Sequence, residues 1–196
     1  MKINYSYSFA LALFLIFSSL SAHSQEKRWV AKIGSGTVGG SVDVYINGEL
    51  ANPEPVSYDA KIGYQIGITR YFKEERWRGT RPFITAQYAN YGFKIENLNY
   101  NLHYADVDIS VLNRFGNRGQ FYYGLGLGVA FLVSHDTNSL INISNKFDVR
   151  GNAFVGATIN KSIRIYLQGK IGVINLDKET ETKNYMFTLN TEFLLF

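Results

Sequence analysis

The chain has 196 residues and carries 20 Lys and Arg against 16 Asp and Glu, a net charge of +4. The bases are scattered, and the densest run, KEERWRGTR (Lys73–Arg81), mixes both signs. Such a chain offers no basic patch for nucleic acid. With no Cys it holds no disulfide framework, thiolate metal site or lipidated cysteine. Tyr and Phe at 14 each, 18 Gly and only 3 Pro favour strands over helices.

The first element is a leader. Lys2 precedes the apolar run FALALFLIF (Phe9 to Phe17), followed by small and polar residues ending in Ala22-x-Ser24. This order matches a secretory signal peptide, and the run is too short to span a bilayer as a helix. The expected division is a signal peptide over residues 1–24 and one barrel domain over 25–196.

Period two governs the rest of the chain. The strands predicted in chain order are 28–36, 58–69, 82–94, 105–112, 121–133, 147–160, 163–173 and 185–195. In QFYYGLGLGVAFLVSHD, Phe121, Tyr123, Leu125, Leu127, Val129, Phe131 and Val133 share one face, while Gly124, Gly126 and Gly128 share the other. A helix would scatter those glycines and lose stability at each, whereas a strand sorts them. For 82–94 the apolar face is assigned to Ile84, Ala86 and Tyr88. The links at 73–81, 116–119 and 160–162 are tight or modest; those near 35–57, 95–102, 134–146 and 176–184 are mostly longer and polar. Turns at one end and loops at the other describe an all-β, eight-stranded antiparallel up-and-down barrel.

Two patterns set the sense of the wall. The polar faces carry Gly34, Gly63, Gly67, Gly124, Gly126, Gly128 and Gly156. A water-facing surface has no need of them, but a narrow eight-stranded interior does. The apolar faces end in aromatics: Trp77, Phe115 and Phe121 near the turns, Tyr58, Phe131, Phe147 and Tyr185 near the loops. Two belts suit a slab with two water interfaces, so the barrel is expected to be transmembrane. Its interior then holds Lys32, Lys61, Arg150, Arg164 and Lys170 against Asp59, Asp106, Asp108, Asp148 and Glu192. These are expected to pair as a hydrogen-bonded plug, since isolated charges there are costly.

The runs ADVDISVLNRFGNRGQFYYGLGLGVAFLVS (from Ala105) and FDVRGNAFVGATINKSIRIYLQGKIGV (from Phe147), with a closing strand to Phe196, resemble the small porin-like outer-membrane β-barrel family of Gram-negative bacteria, of the OmpX and OmpA type. The resemblance implies an outer-membrane location with both termini in the periplasm. It also implies contact with outer-membrane lipids and lipopolysaccharide, insertion by the barrel-assembly machinery, and envelope partners met through the loops. In that family the terminal aromatic is in phase with the lipid-facing residues; here Phe196 follows Leu195, which already holds that face.

Chemical motifs are few. GLGLG lacks the G-x-G-x-x-G spacing and following helix of a dinucleotide site, and is read as thinning of the inner wall for Lys and Arg of facing strands. Ser134, His135 and Asp136 are consecutive, so they alternate sides rather than converge as a triad. His103 and His135 are placed near the outer rim and make a poor metal site. Asp106 and Asp108 have the form of a carboxylate pair but are read as ion-pair partners. YINGEL (Tyr45–Leu50) carries an Asn-Gly hairpin signal. No catalytic, cofactor or metal residue is assigned. The expected role is non-enzymatic: structural, surface-interacting or secretion-assisting. The alternatives are a lipid A-modifying enzyme of the outer membrane and a small-solute porin.

Overall fold

The structure is a computed structural model that describes residues 28–46, 49–50, 56–57, 60–72, 80–95, 98–115, 120–136, 145–160, 162–174 and 180–195. Residues 1–27, Tyr58, Asp59, Trp77 and Phe196 lie outside the described residues, so the expected signal peptide falls there. The strands are β1 (Arg28–Ile46), β2 (Glu49–Leu50), β3 (Val56–Ser57), β4 (Lys61–Tyr71), β5 (Thr80–Ile95), β6 (Leu98–Phe115), β7 (Phe121–Asp136), β8 (Phe147–Thr158), β9 (Ile163–Gly172) and β10 (Thr180–Leu194). From β4 to β10 each strand pairs antiparallel with the next; β1 pairs with both β4 and β10, closing an eight-stranded barrel. Closure leaves no open edge through the wall, the condition for crossing a bilayer as sheet.

Side-chain alternation shows what the wall separates. On β7, Leu125 and Leu127 point outward at 67% and 69% exposure, between buried Gly124 and Gly128. On β4, Ile62 is 82% exposed beside buried Gly63, while Gln65 is fully buried. Large apolar groups outside and charge within reverse the order that water imposes. Only a hydrocarbon solvent makes it favourable. The assignment of Ile84, Ala86 and Tyr88 to the outer face holds, since Phe83, Thr85 and Gln87 are the buried set. Outer-face aromatics gather at both ends: Phe115 stacks on Phe121 at 5.7 Å, and Phe131 meets Phe147 at 5.2 Å.

Several expected loops are strand. β1 runs on to Ile46 and pairs with β10 as far as Val44↔Thr180. β6 starts at Leu98 and pairs with β5 from Ile95↔Leu98 to Thr80↔Asn113. The flanking pairs Tyr45↔Leu50 and Ile46↔Glu49 form the hairpin expected of YINGEL, with Asn47 and Gly48 outside the described residues. Apolar alternation reports only strand that touches lipid, and backbone pairing continues past it. A span needs roughly 9–11 tilted residues. β9 has 10 and β8 has 12, but β5 has 16 and β6 has 18, so the excess rises clear of the hydrocarbon. Near its tip β5 bends at Gly92, whose φ of +153° suits glycine and whose Cβ would run into the Tyr100 carbonyl.

Candidate functional site

The lumen is filled at three levels. At the end with the short turns, Val30, Tyr71, Phe83, Leu112, Tyr122, Phe154 and Tyr166 form one apolar cluster. Phe154 is its hub, with ring centroids 5.6 Å from Phe83 and 5.8 Å from Tyr166. Its polar edge is Glu192, which accepts from Tyr71 Oη at 2.8 Å and Tyr166 Oη at 3.3 Å, with Arg164 3.5 Å away. At the other end, Val38, Ala89, Tyr91, Tyr100, Leu102, Tyr104, Ala130, Leu132 and Met186 form a second cluster.

Between them lies a polar layer. Asp106 accepts from Arg150 Nη1 at 2.9 Å, Gln87 Nε2 at 3.1 Å and Tyr91 Oη at 3.2 Å, with Lys170 at 3.5 Å. Lys170 Nζ lies 2.5 Å from Asp108, and Arg150 Nε 3.0 Å from Asp148. The Arg150 guanidinium also stacks over Tyr91 (3.9 Å) and Tyr104 (4.2 Å), joining the charged layer to the upper cluster. Asp106 and Asp108 are thus ion-pair partners, as read from the sequence.

Two expectations for this layer need correction. Among the described residues Lys32 forms no ion pair with a carboxylate; its Nζ donates to Gln87 Oε1 at 2.8 Å and Gln168 Oε1 at 2.9 Å, in a network continued by Gln65, Thr188 and Asn190. Neutral amides accept two of its three hydrogens because β5 and β9 present glutamines at that level. Lys61 sits at the lumen mouth, half-buried, and donates to Asn101. The two aromatic clusters were not anticipated. Their signal was legible, since Tyr122, Phe154 and Tyr166 stand in polar-face positions.

The inward glycines are steric, but not for facing bases. A Cβ at Gly124 would strike the Phe154 ring, at Gly126 Ser110, and at Gly128 the Asp108 carboxylate, all on adjacent strands. Inside a barrel this narrow, side chains lean sideways over the neighbouring strand.

At the rim, β7 carries a bulge: Tyr104 pairs with Leu132 and His103 with Ser134, leaving Val133 extra. His135 then faces Leu102 and Asp136 faces Asn101, so Ser134, His135 and Asp136 do not converge. His103 instead has Ser134 as its cross-strand partner, and its Nδ1 shares a 2.8 Å hydrogen bond with Tyr88 Oη, with Asn90 at 3.3 Å. Among the described residues no group of three His, Asp or Glu is placed to hold a metal ion.

Fold and lumen together define an eight-stranded transmembrane β-barrel, with a charged layer between two aromatic clusters inside and an apolar wall outside. Its shape is similar to that of Neisserial surface protein A (NspA), with a TM-score of 0.50 at 9% identity, covering 84% of this chain and 96% of that one. The attachment invasion locus protein Ail of Yersinia pestis aligns with a TM-score of 0.44 at 10% identity, over 85% of this chain and 98% of Ail. OprG from Pseudomonas aeruginosa gives 0.46 at 12% identity, over 85% and 95%. The likeness to NspA shows the fold of the small outer-membrane barrels and leaves activity open. No family model matches the sequence, and no curated protein matches it either.

Proposed function

We propose that this chain is an integral outer-membrane β-barrel protein with a structural, surface-interacting or secretion-assisting role and no catalysis of its own. The observation that carries the reading is a lumen filled at both ends by aromatic clusters inside an apolar outer wall. A wall of this sense needs a bilayer. A lumen so filled opposes passage of solutes, which disfavours the porin reading. What remains for function is the outer surface and the strand extensions of β1, β5, β6 and β10 above it. In this proposal residues 1–24 are a leader removed on export, and partners are outer-membrane lipids, lipopolysaccharide, the assembly machinery and envelope proteins. The test is fractionation with crosslinking. The protein is expected in the outer membrane, with faster SDS mobility unheated than boiled, and crosslinked to envelope partners through residues above the outer belt. A soluble periplasmic protein without heat-dependent mobility would refute the membrane reading.

One observation favours a second reading. The cross-strand pair His103–Ser134 sits at the outer rim, with the imidazole held by Tyr88 and Asn90. A lipid A-modifying hydrolase needs such a pair at that interface. Lipid A mass spectra from cells with and without the gene decide it: an altered acylation pattern would replace the structural role.

A further inference from the structure

Most tyrosines of the described wall turn inward: Tyr71, Tyr91, Tyr100, Tyr104, Tyr122 and Tyr166 are buried. Tyr64, Tyr88, Tyr123 and Tyr185 face outward and are exposed. Among these, Tyr64 and Tyr88 stand together. They lie diagonally on adjacent strands, Tyr64 opposite Asn90 and Tyr88 opposite Ile66, with ring centroids 6.5 Å apart and planes tilted by 39°. Tyr123, by contrast, packs on Phe115. Tyr88 has a second neighbour of a different kind. Its Oη lies 2.8 Å from His103 Nδ1, and the two rings are within 20° of parallel. The Asn90 amide sits 3.3 Å from both imidazole nitrogens and holds that ring in place.

A phenol gives up an electron readily only if its proton leaves at the same time, and a neutral imidazole is the side chain best suited to take it near neutral pH. We propose that Tyr88 is a redox-active tyrosine, with His103 as its proton acceptor, and that it couples oxidatively to Tyr64 as a dityrosine bridge between β4 and β5. The co-reactant is a diffusible one-electron oxidant, two equivalents per bridge. The first takes an electron from Tyr88 while the Oη proton passes to His103 Nδ1, the imidazole carrying its own proton on Nε2. The second takes an electron from Tyr64, whose proton goes to solvent. The two phenoxyl radicals join through a carbon–carbon bond between ring positions ortho to oxygen. The two ortho hydrogens then move to the oxygens and restore both phenols. In sum the protein loses two electrons and two protons, and each oxidant is reduced once. Both rings are exposed, so side-chain rotation can bring the ortho carbons together. The place is a mechanical one. Pairing of β4 with β5 ends at Tyr64↔Asn90 among the described residues, although β4 begins at Lys61 and β5 runs on to Ile95. A bridge there pins the two strands where they part.

The test uses the full chain refolded in detergent and photogenerated ruthenium(III) tris-bipyridyl as the oxidant. The parent is expected to lose the mass of two hydrogens, gain dityrosine fluorescence and yield one crosslinked peptide joining Tyr64 to Tyr88. Tyr64→Phe should abolish the bridge yet leave the Tyr88 radical, read as a spin-trap adduct at Tyr88 by peptide mapping. His103→Leu should lower that adduct at least about tenfold, the low end of what a positioned proton acceptor contributes being larger still, while the adduct at Tyr123 stays constant as internal reference. His103→Gln restores a hydrogen-bond acceptor but not a base. It should remain as slow as His103→Leu, whereas a merely structural contact would be rescued. Heat-dependent mobility identical to the parent's certifies the fold of each variant. Crosslinks that join other tyrosines, or equal trapping at Tyr88 and Tyr123 in the parent, would overturn the assignment of the site. Undiminished Tyr88 adduct in His103→Leu, or recovery in His103→Gln, would overturn the role of His103.

Discussion

Arg150→Met tests the polar layer at its centre. Arg150 is 1% exposed, pairs with Asp106 and Asp148 at 2.9 and 3.0 Å, and lies between the rings of Tyr91 and Tyr104. Methionine keeps much of the length and removes the charge. Asp106 would retain Lys170, Gln87 and Tyr91, but Asp148 would lose its one ion-pair partner among the described residues. Removing one partner of a buried pair costs about 3–5 kcal/mol, because the other charge is left unmatched. The lost cation–π contacts act in the same direction, and the two terms overlap rather than add. Urea titration of protein refolded in detergent, followed by heat-modified mobility and tryptophan fluorescence, measures the change. The control is Arg150→Met with Asp148→Asn, which removes the orphaned charge and should recover much of the loss. A single variant as stable as the parent would show that water reaches this layer and that the lumen is not dry.

The wall supplies further tests. Leu127→Arg, near mid-membrane, should cost about 2–4 kcal/mol and Val133→Arg, near the outer rim, about 0–1; equal costs by urea titration would show the depth assignment to be wrong. Gly126→Leu should cost about 1–3 kcal/mol, since its Cβ alone would lie 2.7 Å from Ser110 Cβ and Ile109 O. Gly151→Leu, its outward counterpart, should stay within about 0.5 kcal/mol of the parent; a reversed order would invert the facing of both glycines. In planar bilayers the parent should give no discrete conductance steps, and a reproducible ohmic step would refute the filled lumen.

The alternation of Leu125, Gly126, Leu127 and Gly128 is enough to specify a strand and to say which face meets lipid. That information is local: backbone pleat fixes period two, and the solvent on each side fixes which residues are tolerated. For the same reason the sequence named Asp106, Asp108, Asp148, Arg150 and Lys170 as interior. It did not say who pairs with whom. Lys32 lies among glutamines of β5 and β9, more than fifty positions away along the chain, and only closure of the barrel brings them to one level. Nor did it separate the two reasons for glycine. Period two puts Gly126 on the polar face and Gly151 on the apolar one, yet only the closed wall shows the first crowded by Ser110 of the neighbouring strand and the second facing open space. The strand ends at Ile46 and Leu98 escaped for a further reason: above the bilayer, backbone pairing persists after the side chains stop alternating. Face is a property of one strand; level, partner and free volume belong to the closed cylinder, because they depend on the stagger between strands that closure imposes.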